Sequence, residues 1–271
     1  MNTSFDLDEL QPLARTVHAL NESGRGVAGR PLIIGATARD LILRHIYGLP
    51  VARLTVDLDV AVPIASWADF ETLRQRLVDE GATPIAEMPH RVILYDRQID
   101  IVPFGGVEVN GVIAWPPDRE IQMTVLGFAE AHRHAFEVGL PGGTRAFVAS
   151  LPALFLMKVI AWSDRHWRVD DRDARDIRTL IHAYAAEWNQ DRLYAEANDL
   201  LDHFGYDNEL AAAALLGRDA AAIAESATAA RAREILDRET SPDALRLASD
   251  MGGRAEINLR LLQALYAGFR A

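Results

Sequence analysis

The chain has 271 residues, nearly half of them hydrophobic and a quarter charged, with a formal net charge of −11. That length allows a substantial core and two domains of ordinary size, and the composition excludes a disordered chain. The absence of cysteine excludes disulfides and thiolate metal sites, while the acidic balance argues against broad, non-specific nucleic-acid binding, which relies on many Lys and Arg contacts to phosphate.

The opening Met1-Asn2-Thr3-Ser4-Phe5-Asp6 lacks a basic start and an apolar core, and no segment approaches the apolar length needed to span a bilayer. A cytoplasmic protein without membrane association is expected. Apolar residues at helical spacing predict a helix over 6–21, followed by a loop at Gly24, Gly26 and Gly29. Residues 31–34 read as a short strand broken at Gly35, and helical spacing resumes over 37–46 until Gly48-Leu49-Pro50 stops it. Residues 54–62 form a β-branched run carrying Asp57 and Asp59, and a helix is predicted from an N-cap at Ser66 to Glu80, with Gly81 as its stop. Short extended runs follow at 91–95, 99–103, 107–115, 132–138 and 144–148. Turns at Asp96-Arg97, Gly105-Gly106, Pro116-Pro117 and Pro141-Gly142-Gly143 separate them, and all are expected to extend one sheet. Beyond Leu151-Pro152, Ala, Leu and Arg recur with helical period to the end, including 209–216, 227–238 and 254–269. These patterns predict an α+β domain over 1–150 and an all-helical domain over 151–271.

The chemistry-bearing residues begin with Asp57 and Asp59. On a strand they project from one face, and two carboxylates so placed repel unless a cation sits between them. Oxygen ligation suits Mg²⁺ or Mn²⁺, and a pair of such ions is the usual device for phosphoryl or nucleotidyl transfer. The plain alternative is a half-exposed strand whose acids face water. Ile33-Ile34-Gly35-Ala36-Thr37 reads as a strand-to-helix turn whose small residues would let a phosphate approach. In Arg97-Gln98-Ile99-Asp100-Ile101-Val102-Pro103 a single carboxylate interrupts an apolar strand, where an unpaired charge is costly. A third acid there would complete a metal cluster.

The order of glycine turn, Asp-x-Asp strand and later single-Asp strand resembles the nucleotidyltransferase fold of the DNA polymerase beta superfamily, and within it the AbiEii/AbiGii-type toxin nucleotidyltransferases. The matching residues are Ile34-Gly35-Ala36-Thr37-Ala38-Arg39-Asp40-Leu41, Arg53-Leu54-Thr55-Val56-Asp57-Leu58-Asp59 and Ile99-Asp100-Ile101-Val102-Pro103-Phe104, extended by Lys158 and Asp173-Ala174-Arg175-Asp176-Ile177. The resemblance implies a mixed sheet with flanking helices, and a metal-dependent enzyme that moves an NMP from an NTP to an acceptor hydroxyl. Asp57, Asp59 and Asp100 would be the metal ligands and, with Lys158, the catalytic set. Gly35, Ala36, Thr37, Arg39, Lys158, Asp173 and Asp176 would bind the nucleotide. It also implies a tRNA 3′ end or another RNA as acceptor and a cognate antitoxin as partner. A protein or small-molecule acceptor, such as an antibiotic, and an inactive nucleotide-binding interaction module are the alternatives. One departure is Ala36, where the superfamily usually has Ser; Thr37 is the nearest hydroxyl.

Four further features have competing readings. His132 and His134 would alternate on a strand as a metal pair, or face water. Trp162 and Trp167 would stack a base, or fill a helical core. Arg165, Arg168, Arg172 and Arg175 would meet a polyanion, or pair with the interleaved aspartates. Lys158 is the only lysine among 28 basic residues. On an apolar helix its ammonium needs either a nearby aspartate or, as expected here, the phosphates at the Gly35 turn.

Overall fold

The computed structural model describes residues 7–49, 57–165, 171–241 and 243–271. The chain divides between Ser150 and Leu151 into two compact units. In the first, α1 (Leu7–Gly24) leads to β1 (Leu32–Ile34) and α2 (Gly35–Leu41), which continues as a wide π turn over Ile42–Ile46. Next come β2 (Leu58–Ile64), α3 (Trp67–Asp79), β3 (Thr83–Pro84), β4 (Arg91–Leu94) and β5 (Arg97–Gly105). Strands β6 (Glu108–Val109), β7 (Val112–Ala114) and β8 (Gln122–Thr124) precede α4 (Phe128–Arg133), β9 (Phe136–Gly139) and β10 (Arg145–Val148).

Seven of these strands form one mixed sheet in the order β3-β4-β5-β2-β1-β10-β9. Strand β2 pairs parallel with β5 and antiparallel with β1, while β1 pairs parallel with β10. Leu58, Val60, Val62 and Ile64 are buried on one face of β2, and the other face carries half-buried Asp59 beside buried Ala61. Ser66 caps α3 by accepting the Asp69 amide at 3.2 Å, as its position before an amphipathic run requires.

Two expectations fail in this unit. The run 107–115 does not join the main sheet. It folds into the β6–β7 hairpin, which with β8 makes a separate three-stranded sheet. Nor is 132–138 a single strand, because Gly127, at φ +89°, opens α4 and places His132 on a helix. The His132 ring stacks on Phe147 and its Nε2 lies 3.0 Å from the Arg30 carbonyl, so it does not alternate with His134 as a metal pair would. Residues 50–56, including the first part of the expected Asp-x-Asp strand, lie outside the described residues; β2 itself runs from Leu58.

The second unit is helical among its described residues: α5 (Leu151–Arg165), α6 (Arg172–Tyr184), α7 (Gln190–Ala195), α8 (Asn198–His203), α9 (Asn208–Ile223), α10 (Ser226–Glu239), α11 (Arg246–Asp250) and α12 (Ala255–Arg270). Helix α5 is buried nearly all round, from Leu151 to Ser163. Trp162 is 2% exposed and donates its indole N–H to Asp250 Oδ2 at 3.0 Å, so it is a core residue with no face for a base. Trp167 and Arg168 lie outside the described residues. Helices α9 and α12 cross backbone to backbone: a Cβ at Gly217 would overlap the Leu265 carbonyl, and one at Gly268 the Ala214 carbonyl. Gly268→Ala is therefore expected to destabilise this unit by about 2 kcal/mol or more, as overpacking against main chain does, read as a fall in the urea midpoint of the α-helical signal. An unchanged midpoint would refute the close crossing.

Candidate active site

The sheet register builds the site. Ile34 lies opposite Asp59, Asp59 opposite Asp100, and Asp100 opposite Arg91. Residues directly paired across neighbouring strands share a face, so Asp59, Asp100 and Arg91 form one row across β2, β5 and β4. At the inner end of that row β1 stops and the chain turns at Gly35, whose φ of +67° suits glycine. A Cβ on Gly35 would overlap the Asp59 carboxylate. The main chain of the turn thus lies directly against that acid.

Thr37 is 5% exposed and donates its hydroxyl to the Asp57 carbonyl at 2.7 Å. This bond ties the turn to the bend before β2. In this structure the Thr37 hydroxyl thus serves the backbone. Arg39 donates from Nε to Asp40 Oδ1 at 2.8 Å and counters a carboxylate that is 1% exposed. Asp57 is exposed in the bend immediately before β2 rather than inside the strand. Its charge helps to raise the Arg91 pKa and opposes the fall that burial imposes on that of Arg97.

Arg91 was not anticipated. Its Nε and Nη2 each donate to one oxygen of Asp100 at 2.7 Å, the bidentate geometry that makes such pairs strong. Those hydrogen bonds outweigh partial desolvation and, with the charges of Asp100, Asp57 and Asp59, raise the Arg91 pKa. The β4–β5 hairpin that sets this pair turns at Tyr95 and Asp96, both at positive φ (53° and 57°). The Tyr95 hydroxyl donates to Glu80 Oε1 at 2.7 Å, and the Arg15 guanidinium lies 3.7 Å over its ring. Among the described residues no three His, Asp or Glu side chains converge as a metal-binding group. The donor chemistry nevertheless fits a hard divalent cation, since Asp59 and Asp100 stand side by side on one face beside Gly35, which has no Cβ.

Lys158, Asp173 and Asp176 belong to the helical unit. Lys158 Nζ lies 2.9 Å from Asp173 Oδ1 and 2.6 Å from Asp176 Oδ2, and Arg165 Nη2 lies 2.7 Å from Asp173 Oδ2. Arg175 pairs with Asp171 at 2.6 Å. Burial disfavours the Lys158 ammonium, but Asp173 and Asp176 together outweigh it and raise its pKa.

A glycine turn against a row of strand carboxylates, on a mixed sheet followed by a helical unit, has the plan of a nucleotidyltransferase. The family model described as nucleotidyl transferase AbiEii toxin, type IV TA system, matches residues 33–256, and the chain belongs to that family. It is a nucleotidyltransferase, and membership implies a nucleotide substrate and a cognate antitoxin. No curated protein matches the chain. Among solved structures, that of the antibiotic-resistance factor ANT(2'')-Ia is similar at 17% identity with a TM-score of 0.39, over 73% of this chain and 98% of the other. No described helix is long and apolar enough to cross a membrane.

The Lys158 geometry generates a test. Lys158→Met leaves Asp173 and Asp176 without their shared ammonium and is expected to lower the stability of the nucleotide-free protein by roughly 2–3 kcal/mol. Urea denaturation of wild type and variant checks this, and equal midpoints would mean that Arg165 alone neutralises the pair.

Proposed function

We propose that the chain is a metal-dependent nucleotidyltransferase that moves an NMP from an NTP to the 3′ hydroxyl of a tRNA, acting as the toxin of its pair in the cytoplasm. The observation that carries the reading is the register of Asp59 against Asp100 beside the Gly35 turn. In the reaction the acceptor oxygen bonds to the α-phosphorus, the bond to the β-phosphate oxygen breaks, and pyrophosphate leaves. Mg²⁺ or Mn²⁺, when bound, would offset charge developing on the phosphate oxygens. Asp57 and Asp59 would hold the ion on the triphosphate, and Asp100 would complete the catalytic ion and take up the acceptor's hydroxyl proton at a carboxylate oxygen. Gly35 and Ala36 would let the phosphates approach the main chain, with Thr37 and Arg39 behind them. Lys158, with Asp173 and Asp176, would serve the nucleotide from the helical unit. The family supports the transfer; the acidic chain directs an RNA acceptor to a local contact rather than a broad one.

A second reading, a module that holds nucleotide without turnover, is favoured by Ala36 in place of the superfamily's Ser and by the pairing of Asp100 with Arg91. Incubating the protein with each labelled NTP, Mg²⁺ and tRNA separates the two. Labelled tRNA is the expected product; label bound but never transferred to any acceptor in a cell extract would favour the module. Asp59→Asn and Asp57→Asn are expected to reduce transfer by about a hundredfold or more with the fold intact, while Asp100→Asn loses transfer more than NTP affinity. Full activity in Asp59→Asn would reject the metal assignment, and equal losses in Asp100→Asn would reject its separate role.

A further inference from the structure

The acid row ends in a cation of the protein's own. Strand β4 lies on the outer side of β5 and β2 on the inner side, so Asp100 has Arg91 on one flank and Asp59 on the other. Arg91 engages both Asp100 oxygens, and its side chain is three-quarters buried. A carboxylate held in that fork is drawn toward β4, away from Asp59. A divalent ion shared by Asp59 and Asp100 needs the opposite orientation, and it would sit close to a fixed positive charge.

We infer that Arg91 is a positioning residue that occupies Asp100 in the metal-free chain and leaves it when a divalent cation is taken up, so that the ion pair and the metal exclude one another. The inference rests on the metal-dependent reading of the site. It gives Arg91 a role in the order of events. Without a nucleotide, a cation must displace a bidentate guanidinium and leave it unpaired, which disfavours loading. The donor's triphosphate supplies a new anion for the displaced guanidinium, so NTP and metal enter together. Asp100 thereby keeps a counter-ion at every stage.

The test is Mn²⁺ binding to the full chain, followed by the loss of the free-ion electron paramagnetic resonance signal, with and without a non-hydrolysable NTP analogue. Wild type is expected to bind Mn²⁺ weakly alone and more tightly with the analogue. Arg91→Gln is expected to bind Mn²⁺ alone at least about fivefold more tightly, with the gain from the analogue reduced by a similar factor, the low end of ordinary coupling between sites. Arg91→Lys, which keeps charge but loses the fork, should fall between them. In EDTA, Arg91→Gln should melt below wild type and recover with Mn²⁺. Equal or weaker Mn²⁺ affinity in folded Arg91→Gln and Arg91→Lys would overturn the exclusion while leaving the metal reading in place. If wild type binds no Mn²⁺ even with the analogue, and Asp59→Asn behaves identically, the metal reading itself falls and the exclusion with it.

Discussion

The main-chain register across β1, β2, β5 and β4 is the constraint on which the site depends. Backbone hydrogen bonds, not side chains, align Ile34, Asp59, Asp100 and Arg91 in one row. The sheet therefore places two carboxylates side by side whether or not anything neutralises them, an arrangement that burial makes costly. At Asp100 the chain meets that cost with Arg91. Gly35 closes the other end, because only a residue without a Cβ lets the β1 terminus lie against Asp59.

The helical unit solves a similar problem differently. Two carboxylates one turn apart on α6 share the Lys158 ammonium, and Arg165 takes the remaining oxygen of Asp173. An ammonium with three tetrahedral donors bridges two separate acids, whereas a planar guanidinium is matched to one. This geometry gives a local reason for a lysine in a chain that otherwise uses arginine, independent of any contact with phosphate.

Much of the fold was legible because its signals are local. The Ser66 cap, the Gly35 break and the apolar spacing of the C-terminal helices each report on a few neighbouring residues, and each stands close to where the pattern placed it. Asp59 and Asp100 were legible as acids in otherwise apolar strands. What sequence could not reach depended on pairing. Placing the hairpin turn at Asp96-Arg97 instead of Tyr95-Asp96 sets Asp100 opposite Ile93, and Arg91 then looks like an ordinary strand-end charge. The true turn carries two non-glycine residues at positive φ, without the Asn-Gly signature that usually betrays such a loop. The separate β6–β7–β8 sheet was missed for a related reason: alternation marks a strand but not the sheet it joins. The helix at His132 was hidden in a six-residue segment too short to show a period.

The anchoring of Tyr95 also bears on kinetics. With its hydroxyl on Glu80 and its ring under Arg15, the tip of the β4–β5 hairpin is fastened to neighbouring helical segments, while β5 is held along its length by β2. The strands bearing Arg91 and Asp100 are thereby tied at their turn and along the inner edge of β5. The proposed exchange of the guanidinium for another cation would then fall to rotation about side-chain bonds rather than to a hinge motion. The exchange proposed above would then require no opening of the sheet.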